Sequence, residues 1–141
     1  MKPDLFYYSF LQQITPAKKW VMPDPPLNEF LRNLYNVIED YIDDSVLNVG
    51  FLAKRLAVSK STLNRKLSTL LGLSANTIIK QHRLQKASML LISGKNVSET
   101  AYLTGFETPS YFIHCFKEFY KVTPKAFLKS IDLSVHNKNV D

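Results

Sequence analysis

The chain has 141 residues, a formal net charge of +6 and 45% hydrophobic residues, which is typical of one globular domain, or of one domain with an arm. This composition is too apolar for a disordered chain. A single cysteine excludes an intrachain disulfide and favours a reducing, cytoplasmic compartment. The sequence has no apolar run long enough to span a bilayer, so no membrane contact is expected.

The charge is distributed unevenly along the chain. Residues 49–129 contain thirteen Lys or Arg and three Glu, a formal charge of +10. Residues 1–48 contain four basic and seven acidic residues, a formal charge of −3. An anionic partner would therefore bind to the basic region. The alternative is a solvated basic surface, which is common in proteins.

Residues 1–26 predict an irregular arm with one short helix near Phe6–Gln13, because Pro16, Pro23, Pro25 and Pro26 interrupt any longer element. The aromatic residues of this arm either pack on the domain or face a neighbouring domain. From Leu27 to Asp43, apolar residues at three- and four-residue spacing predict an amphipathic helix.

Three further helices are predicted next. A short helix covers 49–57, and Ser59 caps a second one, Lys60–Leu71, whose inward side is Leu63, Leu67 and Leu70. Gly72 suits the left-handed position that ends this helix. Ser74 caps a long linker helix that runs to about Ser93.

The remaining chain is also predicted to be helical. Ser98 caps a short helix that Gly105 closes, and Pro109 begins a helix that ends at Tyr120. A last helix runs from Thr123-Pro124 through Lys129, and residues 132–141 form a frayed tail. No strand-like alternation of useful length occurs, so the fold is predicted to be all-α.

The two halves of this helical region form a near-repeat. Val49 and Ala53 recur 48 residues later, whereas Leu63, Leu67, Gly72 and Ser74 correspond to Phe112, Phe116, Lys121 and Thr123, which lie 49 residues later. One residue is therefore inserted in the second copy, near Glu107 to Pro109. Two helix-turn-helix units in a basic chain, at about 49–72 and 97–120, indicate binding to duplex DNA.

The region from about Leu47 to Lys129 resembles the DNA-binding domain of the AraC/XylS family of bacterial transcription regulators. The most specific part is Val97-Ser98-Glu99-Thr100-Ala101-Tyr102, followed by Gly105-Phe106, Ser110-Tyr111-Phe112, Phe116-Lys117 and Val122-Thr123-Pro124. The resemblance implies a domain over 27–131, in which a linker helix at about 74–93 joins two helix-turn-helix subdomains.

The resemblance also implies which residues contact bases. These positions correspond to Ser61, Asn64 and Arg65 in the first unit and to Pro109, Ser110, Ile113 and His114 in the second. Asn64 can pair with adenine and Arg65 with guanine through two hydrogen bonds each, and an outward Ile113 can contact a thymine methyl group. His114 can donate to guanine or to a phosphate. The alternative is that these side chains are ordinary surface residues.

Phosphate contacts are expected from lysines and from backbone amides at helix starts. The candidates are Ser59, Lys60, Lys66, Thr108, Lys117, Thr123 and Lys125. Two departures from the family pattern bear on stability. Lys121 stands where the family usually has glycine, and Thr100 replaces an aliphatic residue.

No enzyme chemistry is expected. His82, His114 and His136 lack metal-ligand spacing, so neither a metal nor another cofactor is expected, and Cys115 is predicted to be a small packed residue. The expected partners are double-stranded DNA, RNA polymerase and an upstream sensor or receiver domain. The upstream domain is expected because the helix at 27–43 resembles the segment before this domain in hybrid two-component regulators. A helical protein-interaction module is the alternative function.

Overall fold

The structure is a computed structural model. It describes residues 29–138, and it describes side chains as far as residue 132. These residues form seven α-helices and no strand, which confirms the predicted all-α fold. The helices are α1 (Glu29–Tyr41), α2 (Val49–Arg55), α3 (Lys60–Leu71), α4 (Ala75–Ile92), α5 (Val97–Leu103), α6 (Pro109–Tyr120) and α7 (Pro124–Lys138). The predicted arm, including the helix at Phe6–Gln13, lies outside the described residues. No described helix is long and apolar enough to cross a membrane.

Side-chain oxygens cap the starts of α2 to α6. Ser59 and Ser74 accept hydrogen bonds from backbone amides three residues later, as the sequence predicts. The prediction for Ser98 is wrong. Asn96 caps α5 instead, because its Oδ1 accepts a hydrogen bond from the Glu99 amide at 2.8 Å.

Two further sequence predictions need correction. α7 continues to Lys138 rather than ending at Lys129, because no glycine or proline interrupts this stretch and Ile131 still packs on the core. Leu70 does not belong to the core. It is 42% exposed, and Leu71 contacts the core instead in the last turn of α3.

Two hydrophobic cores share the linker helix α4. Ile78 and Ile79, in its first half, pack with residues of α1, α2 and α3. Leu84, Ala87 and Leu91, in its second half, pack with residues of α5, α6 and α7, where Cys115 is buried as predicted. Each helix-turn-helix unit therefore has its own core, and one continuous helix joins the two cores.

Backbone conformation locates the residue inserted in the second unit. Ala57 and Gly105 both have positive φ angles, of 58° and 81°, and lie 48 residues apart. The next N-caps, Ser59 and Thr108, lie 49 residues apart. The inserted residue therefore lies in the short turn before Thr108, within the range that the sequence predicts.

The helices α3 and α6 both end at a residue in the left-handed conformation. Gly72 ends α3 with φ 68°, and Lys121 ends α6 with φ 67°. A residue with a Cβ atom is strained in this conformation, whereas glycine is not. The substitution of Lys121 for the family's usual glycine therefore falls at a position that favours glycine.

Lys121→Gly is expected to raise the free energy of unfolding by up to about 1 kcal/mol, because it relieves this strain. Gly72→Ala is the matched control and should lower it, since no atom lies within 4 Å of a Cβ built there and only the backbone strain is added. Urea unfolding followed by circular dichroism measures both changes. A less stable Lys121→Gly variant would contradict the prediction.

Thr100 carries a buried hydroxyl group. Its side chain has no exposed surface, and Oγ1 has no hydrogen-bond partner among the residues that the structure describes. A buried polar atom without a hydrogen-bond partner lowers the free energy of unfolding. The departure from the family pattern at Thr100 therefore bears on stability rather than on the DNA-binding surface.

Aromatic contacts fasten α1 to the rest of the domain. The Tyr35 ring lies 5.2 Å from the His82 ring of α4, and the Tyr41 ring lies 4.8 Å from that of Phe51 in α2. Burial lowers the pKa of His82 to about 4, although a hydrogen bond with the Ile78 carbonyl opposes this shift. His82 is therefore neutral near pH 7 and packs as an apolar ring.

The Arg83 guanidinium of α4 joins the two units. Its Nη1 donates to the carbonyls of Ile42 at 2.8 Å and Thr104 at 2.9 Å. Its Nη2 donates to the carbonyls of Leu47 at 2.9 Å and Asp44 at 3.2 Å. One side chain thus holds the loop between α1 and α2 and the turn between α5 and α6.

Gly105 leaves room for this guanidinium. A Cβ atom at Gly105 would lie 1.5 Å from Nη1 of Arg83 and 2.9 Å from the Ile42 carbonyl oxygen. Burial lowers the pKa of Arg83, and the carboxylates of Asp44 and Asp43 oppose that shift. The group nevertheless remains charged, since the ordinary pKa of arginine lies above about 12.

Arg83→Lys is expected to lower the free energy of unfolding by at least about 2 kcal/mol, because one ammonium cannot satisfy four carbonyls held by two nitrogens. Arg65→Lys, the same change on an exposed position, should leave stability within about 0.5 kcal/mol. Urea unfolding measures both variants. Equal stability of the two variants would contradict the structural role of Arg83.

Candidate nucleic-acid interface

The first recognition helix, α3, separates buried and exposed residues on opposite faces. Leu63 and Leu67 are fully buried and hold the helix on the first core. Ser61 and Arg65 are exposed on the other side. The predicted base-contacting residues Ser61 and Arg65 therefore share one outward face, one helical turn apart.

Asn64 has a structural contact that the sequence did not predict. It is half-buried, and its Oδ1 accepts a hydrogen bond from the backbone amide of Ala75 at 2.9 Å. The predicted pairing with adenine would use both Oδ1 and Nδ2. Asn64 thus joins α3 to the start of α4, and because an amide oxygen has two lone pairs, this bond does not exclude the predicted pairing with adenine.

The second recognition helix, α6, has the same division of faces. Phe112 and Phe116 are fully buried in the second core. Among the predicted contacts, Ser110 and His114 are exposed, Ile113 is 37% exposed and Pro109 is half-buried in the first turn. The outward position of Ile113 leaves an apolar surface among the polar side chains of this face.

His114 lies beside an acidic residue on the exposed face of α6. Its Nε2 lies 3.7 Å from Oε2 of Glu118, and both side chains are about two-thirds exposed. Such an exposed pair contributes little to the stability of the helix, because solvent screens it. The imidazole therefore remains available to a ligand.

The predicted phosphate-contacting lysines have different surroundings. A Cβ atom at Gly50 would lie 3.1 Å from Cε of Lys60, so the stem of Lys60 crosses the start of α2. The Lys66 ammonium lies 4.8 Å from the centre of the Phe30 ring in α1. Lys117 and Lys125 are exposed and have no ion-pair partner among the described residues.

The three hydroxyl residues predicted at phosphate contacts act as helix caps. Ser59, Thr108 and Thr123 each accept a hydrogen bond at 3.1 Å, from the amides of residues 62, 111 and 126. These caps orient the first turns of α3, α6 and α7. The backbone amides at these helix starts, rather than the hydroxyls, are the donors that the sequence assigned to phosphate.

The repeat places the two exposed faces in the same register. Ser61 and Arg65 correspond to Ser110 and His114 at the offset of 49 residues. The linker helix has 18 residues, which corresponds to about 27 Å, close to the rise of one turn of B-DNA at about 34 Å. The exposed Tyr111, whose ring lies 6.0 Å from that of Phe106, adjoins the second face and was not assigned a contact.

Metal chemistry has no support in this region. Within the part of the chain that the structure describes, no three His, Cys, Asp or Glu residues are grouped so that they could hold a metal ion. Besides the carboxylate of Glu118 and apolar side chains such as Ile113, the exposed groups that the two recognition helices present are hydroxyls, a guanidinium, an imidazole and ammonium groups. These are donors that nucleic acids accept at base edges and phosphates.

Comparison with known proteins agrees with this geometry. A family profile described as a helix-turn-helix domain matches residues 52–130. The chain also matches the AdiY transcriptional regulator of Escherichia coli, with 32% identity over 127 residues, 86% of this chain and 48% of that protein. The chain belongs to the AraC-type helix-turn-helix family of DNA-binding transcription regulators.

Two solved structures share this fold. The C-terminal domain of the two-component response regulator yesN from Fusobacterium nucleatum has 29% identity and a TM-score of 0.68, with 72% of this chain and 99% of that chain covered. The DNA-binding domain of AdpA, solved with a target DNA, has 22% identity and a TM-score of 0.67, with 73% and 93% covered. The likeness to AdpA shows the fold alone.

The matched curated relatives are longer proteins. Residues matching this chain make up 9% of histidine kinase P4 of Formosa agariphila, which is 28% identical over 121 residues and 85% of this chain. In the transcriptional regulator SirC of Salmonella typhimurium they make up 28%, at 38% identity over 57% of this chain. The chain thus spans less than half the length of AdiY, SirC and the kinase.

Arg65→Ala is expected to weaken binding to a preferred duplex by about 1–3 kcal/mol and to relax selectivity at one base pair, because it removes two hydrogen bonds to a base. Lys117→Ala should weaken binding to preferred and scrambled duplexes alike, because a phosphate contact carries no sequence information. Mobility-shift titrations on both duplexes separate the two effects. Equal losses on both duplexes for Arg65→Ala would mean that Arg65 contacts phosphate.

Proposed function

We propose that this domain binds duplex DNA with α3 and α6 in successive major grooves, and that this binding controls transcription. One observation carries the proposal. Two recognition helices on one rigid linker present their exposed faces in the same register, 49 residues apart. A major groove is wide enough to admit an α-helix. A linker of about 27 Å suits grooves that are one turn apart.

In this proposal, Arg65 and His114 occupy equivalent positions on the two helices and read base edges. Ser61 and Ser110 stand one turn earlier and supply hydroxyl groups. Ile113 supplies an apolar contact for a thymine methyl group. Pro109 shapes the first turn of α6, and Asn64 reads a base while its Oδ1 keeps the bond to the Ala75 amide.

The proposed phosphate contacts flank these helices. Lys60 extends past the start of α2, and Lys117 is exposed on α6. Lys66 and Lys125 complete the set of lysines. Backbone amides at the starts of α3, α6 and α7, oriented by the capping residues Ser59, Thr108 and Thr123, add donors at the positive ends of the helix dipoles.

Regulation would come from outside the described residues. The solved relative from Fusobacterium nucleatum is the C-terminal domain of a two-component response regulator. We propose that an upstream sensor or receiver domain controls this domain in the same way. Contact with RNA polymerase and action in the cytoplasm follow if the bound DNA is a promoter.

The affinity for duplex DNA should fall steeply with salt. If four to six phosphates are neutralised, a plot of log affinity against log salt concentration has a slope between about −4 and −5. Mobility-shift titrations between 50 and about 200 mM salt measure the slope. Negligible affinity at low salt would contradict the proposal and favour a protein-interaction module instead, and a flat salt response would exclude its phosphate contacts.

A further inference from the structure

Near the first unit, the linker helix α4 reaches the surface along one short strip. Eleven of its 18 residues are buried, including both Gln81 and Gln85. At the end near the first unit, Asn76 is exposed, and Thr77 and Lys80 are half-buried. We call these three residues the linker strip. A helix that served only to join two cores would not need a lysine on this strip.

Two clefts flank Lys80. One has a volume of about 360 Å³ and is lined by Asn76, Lys80, Thr108 and Tyr111, together with the loop before α2. The other has a volume of about 480 Å³ and is lined by Thr77, Lys80, Glu118 and Leu73, together with the end of α6. Lys80 is therefore the side chain common to both clefts.

The lining residues place the linker strip between the two recognition helices. Tyr111 lies in the first turn of α6 and Glu118 in its third, so Lys80 faces the flank of α6 along most of its length. Leu73 lies just after the end of α3. Asn76 follows Ala75, whose backbone amide donates a hydrogen bond to Oδ1 of Asn64 in α3. In the proposed placement of α3 and α6, the duplex segment between these two helices would lie beside the strip.

Lys80 has no side-chain partner among the residues that the structure describes. Among residues 29–132, no hydrogen bond or ion pair involves its ammonium group. Glu107 and Glu118 line the two clefts, but the only ion pair within 4.0 Å in this range is between His114 and Glu118. The charged guanidinium of Arg83 lines the first cleft beside Lys80. The ammonium group of Lys80 is therefore not engaged in an ion pair with either carboxylate.

We propose that Lys80 binds the phosphate backbone of the DNA segment between the two half-sites, which are the stretches of duplex that α3 and α6 would each contact. Asn76 and Thr77 would be neighbouring hydrogen-bond donors. The inference rests on the proposed placement of α3 and α6 in successive major grooves. Between two such grooves, the face of the duplex that lies toward the protein is a minor groove with its flanking phosphates. The linker helix is thus a part of the DNA-binding surface as well as a spacer.

The first test compares Lys80→Ala with Lys86→Ala on a duplex of arbitrary sequence at low salt. Lys86 is also half-buried on α4 but lines neither cleft, so it is the matched control. Lys80→Ala should lose about fivefold in affinity, and the slope against salt should become shallower by about 0.9. Lys80→Arg should restore both values, and thermal unfolding should show that all variants remain folded.

The second test locates the contact on DNA. On a duplex obtained by binding-site selection, neutral methylphosphonates replace single phosphates between the half-sites. The wild-type protein should lose affinity at one or two of these positions, whereas Lys80→Ala should lose none there. If Lys80→Ala and Lys86→Ala have the same affinity and slope, or if both proteins respond equally to the replacements, the inference is wrong.

These outcomes are distinct from failure of the proposed function. If the wild-type chain binds DNA with a steep salt dependence and Arg65→Ala relaxes selectivity, the proposed function holds whatever Lys80 does. If the wild-type chain does not bind duplex DNA at low salt, both proposals fail together. A Lys80→Ala protein that loses affinity only on the selected duplex would also overturn the inference, since that result indicates base reading.

Discussion

The arrangement of the two helix-turn-helix units depends on the guanidinium of Arg83. It donates to carbonyls that lie 41, 39, 36 and 21 residues away in the sequence. Three of these carbonyls belong to the loop after α1 and one to the turn before α6. The guanidinium is planar and its two nitrogens have fixed directions. Because it bonds carbonyls of both units, it restrains rotation of one unit relative to the other about the linker helix. Gly105 is the counterpart, since any side chain there would displace the guanidinium.

This constraint matters because each unit is too small to fold on its own apolar surface. A chain of roughly 45 residues buries little core. The first unit gains α1, and the second gains α7 and a cluster of aromatic rings around Phe116. The linker helix belongs to both cores, so its two halves hold the recognition helices at a fixed separation. The proposed binding to successive grooves requires this rigidity.

The two units of the near-repeat are chemically different. At equivalent outward positions, the first carries Arg65 and the second His114, and the half-buried Asn64 corresponds to the exposed Ile113. The residues that occupy the positive-φ positions also differ between the units. The first unit has alanine at the turn and glycine at the helix end, whereas the second has Gly105 at the turn and Lys121 at the helix end. The units therefore share a backbone but present different surfaces, which in the proposed function would read different base sequences.

The sequence by itself determined the features that depend on neighbouring residues. The bounds of α3 and α6, the caps at Ser59 and Ser74, the left-handed end at Gly72 and the burial of Leu63 and Leu67 all follow from local periodicity and capping. The tertiary structure decided the rest: the four bonds of Arg83, the bond between Asn64 and Ala75, the Lys66–Phe30 contact and the position of Lys80 between two clefts. These depend on residues that are brought together from distant parts of the chain, and no local pattern records them.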